Sequence, residues 1–186
     1  MRERLAERQR AIEDPANNPF KTEPSETLKP FKPPPLSPPS ALRATVELKV
    51  VGVADGDTLI ISNAADQQLF TRLQGIDAPE DGQASKLEAQ ENLANLVSGK
   101  FVTVEFDPKG KPDTEGRIIA KVFLDGQDIA LMQIRAGFAW YAKYYKKLMS
   151  ESDRYTYPQA ETDARAHGVG LWREKHPKAP WEYRKQ

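Results

Sequence analysis

The sequence predicts an α+β domain: a five-stranded OB-type β-barrel with about three packed helices, preceded by a proline-rich flexible tail. Two observations set the domain apart. Five short runs rich in β-branched and aromatic residues fall into two groups with a helical pattern between them. Nine of the fifteen prolines (Pro15, Pro19, Pro24, Pro30, Pro33, Pro34, Pro35, Pro38 and Pro39) lie before residue 40, so the domain begins after them. The expected division is a flexible tail or linker over 1–43, the domain over 44–175 and a C-terminal tail over 176–186.

Each element follows from local chemistry. The first three strands are ATVELKVVGV (44–53), DTLIIS (57–62) and QQLFTRLQGI (67–76), separated by turn signals like the limbs of a meander. A helix follows, its start marked by Ser85 and Glu88 at capping-box spacing. Ala89, Leu93, Leu96 and Val97 share one face, and Gly99 follows the end. The last two strands are FVTVEF (101–106) and RIIAKVFL (117–124). A second helix is expected over Asp128–Ala136 with Gly137 as its stop, and a third from Pro158 to about His167, with proline in its first turn and Gly168 behind it. In the tail, KPFKPPPLSPPS cannot make ladder hydrogen bonds and favours polyproline II, which reads as a semi-rigid spacer.

Composition narrows the chemistry. The chain has 186 residues, no cysteine and two histidines, His167 and His176, which excludes a disulfide scaffold, a thiolate nucleophile and a histidine-rich zinc cage. A metal would be held mainly by carboxylates, which suits a hard cation such as calcium or magnesium. With a mean hydropathy of −0.66, no apolar run approaches the ~18 residues of a membrane span, and no membrane partner is expected. The first residues lack the apolar stretch of a signal peptide. Basic and acidic residues balance at 27 each, but residues 44–130 carry eight basic and fifteen acidic groups while 131–186 carry eleven and six. An acidic centre beside a basic flank can hold a cation and a polyanion together, although on charge alone an ordinary mixed surface is the preferred reading.

Two acidic turns stand out. In Asp55-Gly56-Asp57-Thr58 a hairpin turn with Gly56 at positive φ accounts for the first two residues but not for Asp57. In Ile76-Asp77-Ala78-Pro79-Glu80-Asp81 an aspartate before a proline turn can bond its own backbone. Arg72 alternates with Phe70 and Gln74 on one strand face and requires a counter-charge, either an internal carboxylate or a substrate phosphate. Arg117 repeats the situation after Asp113-Thr114-Glu115-Gly116. Two arginines with two or three carboxylates form a toolkit for phosphoryl transfer.

The strings GDT (56–58), RLQGIDAPE (72–80), DTEGRIIAKVF (113–123), IRAGFAW (134–140) and ARAHGVGLW (164–172) resemble, in order and spacing, the staphylococcal nuclease-like (thermonuclease) family over about residues 44–175. The resemblance implies an OB-type barrel with three helices. It further implies that Asp57 and Asp77 ligate calcium together with the backbone carbonyl of Ala78, that Glu80 is the catalytic glutamate acting on the attacking water, and that Arg72 and Arg117 bind phosphate. The implied activity is calcium-dependent hydrolysis of DNA and RNA, with single strands preferred, little sequence specificity and 3′-phosphate products. It also favours export, with a cytoplasmic place as the alternative; a monomer is the default for one compact domain. Two positions depart from the family pattern: Glu115 stands where an aromatic is common, and Lys86 where many relatives have glycine.

Other residues have plainer readings. His167 is expected at the surface or as a cap, and Trp140 and Trp172 in packing. Tyr141, Tyr144 and Tyr145 with Lys143, Lys146 and Lys147 are either a single-strand contact or solvated surface. The alternative to an enzyme is a non-catalytic OB-fold module that binds nucleic acid or protein. An adaptor role for the proline-rich tail rests on composition alone.

Overall fold

The computed structural model describes residues 44–63, 65–107 and 110–186. The expected tail over 1–43 lies outside them. Among the described residues eight strands run in chain order: β1 (Ala44–Asp55), β2 (Thr58–Ser62), β3 (Gln68–Leu73), β4 (Ile76–Asp77), β5 (Phe101–Phe106), β6 (Ile118–Leu124), β7 (Gln127–Asp128) and β8 (Trp140–Tyr141). The helices are α1 (Lys86–Val97), α2 (Ile129–Arg135), α3 (Glu151–Ala166) and the single turn α4 (Pro180–Tyr183), with 3₁₀ turns at Lys143–Lys147 and Gly170–Arg173.

The five long strands close into a barrel. Hydrogen bonding runs β3-β2-β1-β5-β6, and a parallel pairing of β3 with β6 (Thr71 with Ile118, Arg72 with Ile119, Leu73 with Ala120) joins the ends. Closure satisfies backbone groups that an open edge would leave unpaired. The twelve-residue β1 makes this possible by changing partners: Ala44–Lys49 pair with β5, and Lys49–Asp55 pair with β2 across an irregularity between Val50 and Gly52. Such an irregularity bends the strand and increases its twist.

The strands alternate as a half-buried sheet requires. Leu59, Ile61, Val102, Val104, Ala120 and Val122 point inward, and Leu93 and Val97 of α1 join the same core, with Leu96 packed at its margin and Ala89 buried beside them on the helix. Each such Leu, Ile or Val contributes about 1.5–3 kcal/mol by leaving water. Gln133 of α2 is fully buried among them and donates from Nε2 to the carbonyls of Gly56 (2.7 Å) and Ala89 (3.0 Å), tying the β1–β2 turn to α1. A smaller cluster of Trp140, Ala164, Leu171, Trp172 and Ala179 packs α3 against the residues that follow it.

The predicted architecture holds, and five details differ. The third strand ends at Leu73 rather than Ile76, because Gly75 takes φ 87° and turns the chain so that β4 pairs with β8. Gly56 does not adopt positive φ. It is required instead by close approach, since a Cβ there would lie 2.8 Å from the Ala89 Cβ and 2.9 Å from the Ala78 Cβ. The capping box at α1 does not form: Ser85 is left-handed, and its Oγ donates to Glu174 at 3.0 Å. The third helix begins at Glu151, seven residues before the expected start. Ser150 accepts from the Asp153 N–H as its cap, and Pro158 sits inside the helix, where burial of Tyr157, Ala160 and Ala164 outweighs the missing backbone bond. Residues 176–186 are not a free tail: Ala179 and Pro180 are buried and Pro180–Tyr183 are helical. The second helix matches closely, with Asp128 accepting from the backbone N–H groups of Ala130 and Leu131.

Candidate active site

The site is assembled by the two tight turns at one end of the barrel. Asp55 pairs with Thr58, so Gly56 and Asp57 are the two loop residues of the β1–β2 hairpin. The Asp57 carbonyl accepts from the Leu73 N–H (2.8 Å), and its carboxylate Oδ2 accepts from the Ala78 N–H (2.9 Å), which stitches the hairpin to the chain leaving β4. Asp77 is held by β4 pairing with Trp140. Both aspartates are withdrawn from solvent, Asp57 to 2% and Asp77 to 0% relative exposure.

Arg72 lies between them. Its Nη1 donates to Asp57 Oδ1 at 2.9 Å, Nη2 to Asp77 Oδ1 at 2.5 Å and to the Ile76 carbonyl at 3.4 Å, and Nε to the Tyr145 hydroxyl at 3.0 Å. Thr58 Oγ1 also donates to Asp57 Oδ1 at 2.8 Å. Of the two partners the sequence left open for Arg72, the structure places the internal carboxylates beside it. Burial alone would lower the pKa of this guanidinium, but the attraction of Asp57 and Asp77 outweighs burial and raises it. The guanidinium charge is therefore retained, and the pairing is bidentate across two residues, which fixes their relative position.

The outward side of Asp77 is bonded differently. Oδ2 accepts from the Tyr144 hydroxyl at 2.9 Å and from Arg184 Nη2 at 2.8 Å. Arg184 Nη1 reaches Asp77 Oδ1 at 3.3 Å and also pairs with Glu80 Oε1. Burial, and then the adjacent Asp77 charge, raise the pKa of the Tyr144 phenol, which keeps it a donor. The hydrogen bond to Asp77 is the main cause that raises the pKa of Arg184.

Arg117 stands at the margin. Its Nε donates to Asp113 Oδ2 (2.7 Å) and Nη2 to Glu115 Oε1 (3.0 Å), while Nη1 lies 3.5 Å from Thr58 Oγ1, the hydroxyl that touches Asp57. Burial would raise the pKa of Asp113, but hydrogen bonds from Arg117 and from the Glu115 N–H overcome it and lower the value. Asp113 also accepts from the Arg117 N–H, so this loop shapes itself around the arginine.

The structure thus brings Asp57, Arg72, Asp77, Ala78 and Glu80 together and sets Arg117 at their edge. Of the tyrosine and lysine patch, Tyr141 and Tyr145 are buried, while Tyr144 is exposed and donates its hydroxyl to Asp77. Trp140 and Trp172 pack edge to face at 5.2 Å, and His167 caps α3 through the Asp163 carbonyl. Lys86 pairs with exposed Asp81 at 2.9 Å. The sequence reading missed Arg184 and the hydroxyls of Tyr144 and Tyr145. Arg184 has no motif around it beyond the basic excess of the last third of the chain.

Among the described residues, no three or more acidic or histidine side chains converge on one point as a closed metal cage. The donor set nevertheless fits a hard cation in an open site. Asp57, Asp77 and Glu80 supply only oxygen, and positive charge is already drawn to them, the Arg184 guanidinium standing where Asp77 and Glu80 face outward. A cation there would take Asp57, Asp77 and the Ala78 carbonyl, with water for the rest.

A closed OB-type barrel thus carries two buried aspartates around a buried arginine at one end. The model for the staphylococcal nuclease homologue family matches residues 71–174. A protein of Haemophilus influenzae named "Uncharacterized endonuclease" is 36% identical over 138 residues, covering 74% of this chain and 72% of that protein. The "Micrococcal nuclease" of Shigella flexneri is 35% identical over 146 residues, 74% of this chain and 79% of its own. An "Uncharacterized 38.1 kDa protein" of Capnoides sempervirens is 38% identical over 138 residues, but the match spans only 38% of that protein's length. This chain belongs to the staphylococcal nuclease family.

Proposed function

We propose that this protein is a calcium-dependent nuclease that hydrolyses phosphodiester bonds of DNA and RNA with little sequence specificity and leaves 3′-phosphate ends. The observation that carries the reading is the convergence of Asp57 and Asp77 on Arg72, with Glu80 joined to Asp77 through Arg184 and Arg117 at the edge beside Thr58. The names of two relatives, an endonuclease and a micrococcal nuclease, support the nuclease part of this reading.

Each residue then has a task. Asp57, Asp77 and the Ala78 carbonyl would hold the cation, which when bound polarises the phosphate and orients water. Arg72 keeps the two aspartates at fixed separation in a setting that excludes water, so little reorganisation is needed as charge develops. Glu80, at the exposed side of the cluster, accepts the proton of the water whose oxygen attacks phosphorus. The phosphorus–O5′ bond breaks, the 5′ oxygen takes a proton, and the phosphate remains on the 3′ side. Arg117 meets the phosphate oxygens that gain charge, once its fork turns from Asp113 and Glu115. All these contacts address phosphate and none a base edge, which supports low sequence specificity. Single strands are the favoured substrate, because an unpaired backbone bends more readily into a site framed by two turns.

The test is hydrolysis of heat-denatured DNA by the folded protein, in parallel with calcium, with magnesium and with a chelator. Cleavage with calcium alone is the expected result. No cleavage under any condition would replace this reading with that of an OB-fold binding module.

A further inference from the structure

The residues after the barrel are built into the site. Gln83 Oε1 accepts from the Glu80 N–H at 2.9 Å while its Nε2 donates to the Lys178 carbonyl at 2.8 Å, and Ser85 donates to Glu174 at 3.0 Å. Gly82, at φ 87°, leaves room for Tyr183, whose hydroxyl would lie 2.6 Å from a Cβ there. Trp181 packs edge to face on Tyr144, the residue whose hydroxyl meets Asp77, at 6.3 Å between ring centroids. The loop that carries Glu80 and the segment that carries Arg184 therefore hold each other. This docking delivers one guanidinium onto both Asp77 oxygens and onto Glu80.

Charge gives the contact a meaning. Asp57, Asp77 and Glu80 bring three negative charges against the single buried cation of Arg72, and Arg184 supplies a second. It does so on the side of Asp77 that Arg72 leaves open. The Arg184 side chain is 42% exposed, so it is free to swing away without disturbing the core.

We propose that Arg184 is a positioning residue that serves as the site's resident cation: it holds Asp77 and Glu80 in place and competes with a divalent cation for Asp77. The inference rests on the reading of Asp57 and Asp77 as cation ligands. A divalent cation and a guanidinium on the same carboxylate oxygens repel each other, so metal entry displaces Arg184 from Asp77. Displaced from Asp77, Arg184 keeps its pair with Glu80, and the arm that had bonded Asp77 becomes available to the substrate.

Calorimetric titration of calcium into the full chain at low ionic strength, with no nucleic acid present, tests this. Arg184→Gln should bind calcium at least about fivefold tighter than wild type, and Arg184→Lys, which keeps the charge but loses the fork, should lie between them. Amide hydrogen exchange over 178–186 should accelerate in wild type on adding calcium, and circular dichroism will confirm that the variants are folded. Equal or weaker binding by Arg184→Gln, with binding abolished in Asp77→Asn, would overturn the competition while leaving the cation reading intact. No calcium binding by wild type or by either Arg184 variant would overturn both. Binding by Arg184→Gln where wild type shows none would be the strongest support.

Discussion

Among the described residues, two centres set one cation between two aspartates withdrawn from water, and the contrast between them separates site from scaffold. At one end Arg72 lies between Asp57 and Asp77. On the barrel's flank Lys121 of β6 lies between Asp128 and Asp153, at 3.1 and 2.7 Å, with its ammonium 5.3 Å from the Phe123 ring centroid and 5.8 Å from that of Tyr157. Both centres set one cation against two aspartates. The Lys121 centre is closed: the Tyr157 hydroxyl donates to Asp128 at 2.7 Å, the other Asp128 oxygen caps α2, and Asp153 is buried in the first turn of α3. The Arg72 centre is open, since Asp77 presents its second oxygen to Tyr144 and to a partly exposed arginine, and Glu80 stands beside it. Buried charge alone does not mark a functional site; what marks it is an unfinished side that faces solvent.

The sharpest way to break this comparison is to remove each cation. Arg72→Met and Lys121→Met should each cost about 3–5 kcal/mol, the scale for leaving two buried carboxylates without their partner. Urea denaturation measures both. Nuclease activity should separate them: folded Lys121→Met should retain kcat/KM within about threefold, while Arg72→Met should lose nearly all activity. Even Arg72→Lys should be impaired, because a point charge does not reproduce the fork. Equal activity loss in both variants would erase the distinction.

Glu80→Gln sharpens the open side. It should lower kcat by at least about a hundredfold, the upper range for a lost acid–base group being larger still. Its effect on stability should be small, because its ion pair with Arg184 is partly exposed. Full activity in Glu80→Gln would remove it from the mechanism.

Alkaline pH probes the closed side. Burial would lower the Lys121 pKa, but attraction from Asp128 and Asp153 outweighs it and raises the value in the folded protein above the ordinary 10.5. A group whose pKa is raised on folding contributes stability that is fully present below its unfolded value and fades as pH climbs through the folded one. Wild type should therefore hold this contribution from neutral pH to about 10 and lose it above. Lys121→Met should lack that step. Parallel alkaline limbs in denaturation midpoints for the two proteins would contradict it.

The sequence made the open side far more legible than the contacts that finish it. Arg72, Asp77 and Glu80 lie within nine residues, on a strand and the turn after it, so their convergence with Asp57 follows from one hairpin register. The β-branched runs were equally readable because alternation on a strand is a local property. Ser85 misled for the opposite reason: a capping pattern is local, but its hydroxyl was taken by Glu174, a partner 89 residues away. Pro158 read as a helix start, yet tertiary burial of Tyr157 carried α3 seven residues upstream of the expected start. Arg184 reaches Asp77 across 107 residues, and no spacing rule extends so far.

Glu115 offers the finest adjustment. In this chain it takes one arm of the Arg117 fork at 3.0 Å while Asp113 takes another, and its side chain is 66% exposed. An incoming phosphate has to displace that exposed carboxylate and meets its negative charge. Glu115→Gln removes the charge and leaves Asp113 to orient the arginine, so KM for single-stranded DNA should fall about two- to fivefold with kcat almost unchanged, the scale of a partly exposed ion pair. Because the obstacle is electrostatic, the difference between variant and wild type should shrink as salt rises from 50 to about 300 mM. A kcat change without a KM change would instead place Glu115 among the groups that orient Arg117, and the margin of the site would then be as finished in its bonding as the Lys121 centre.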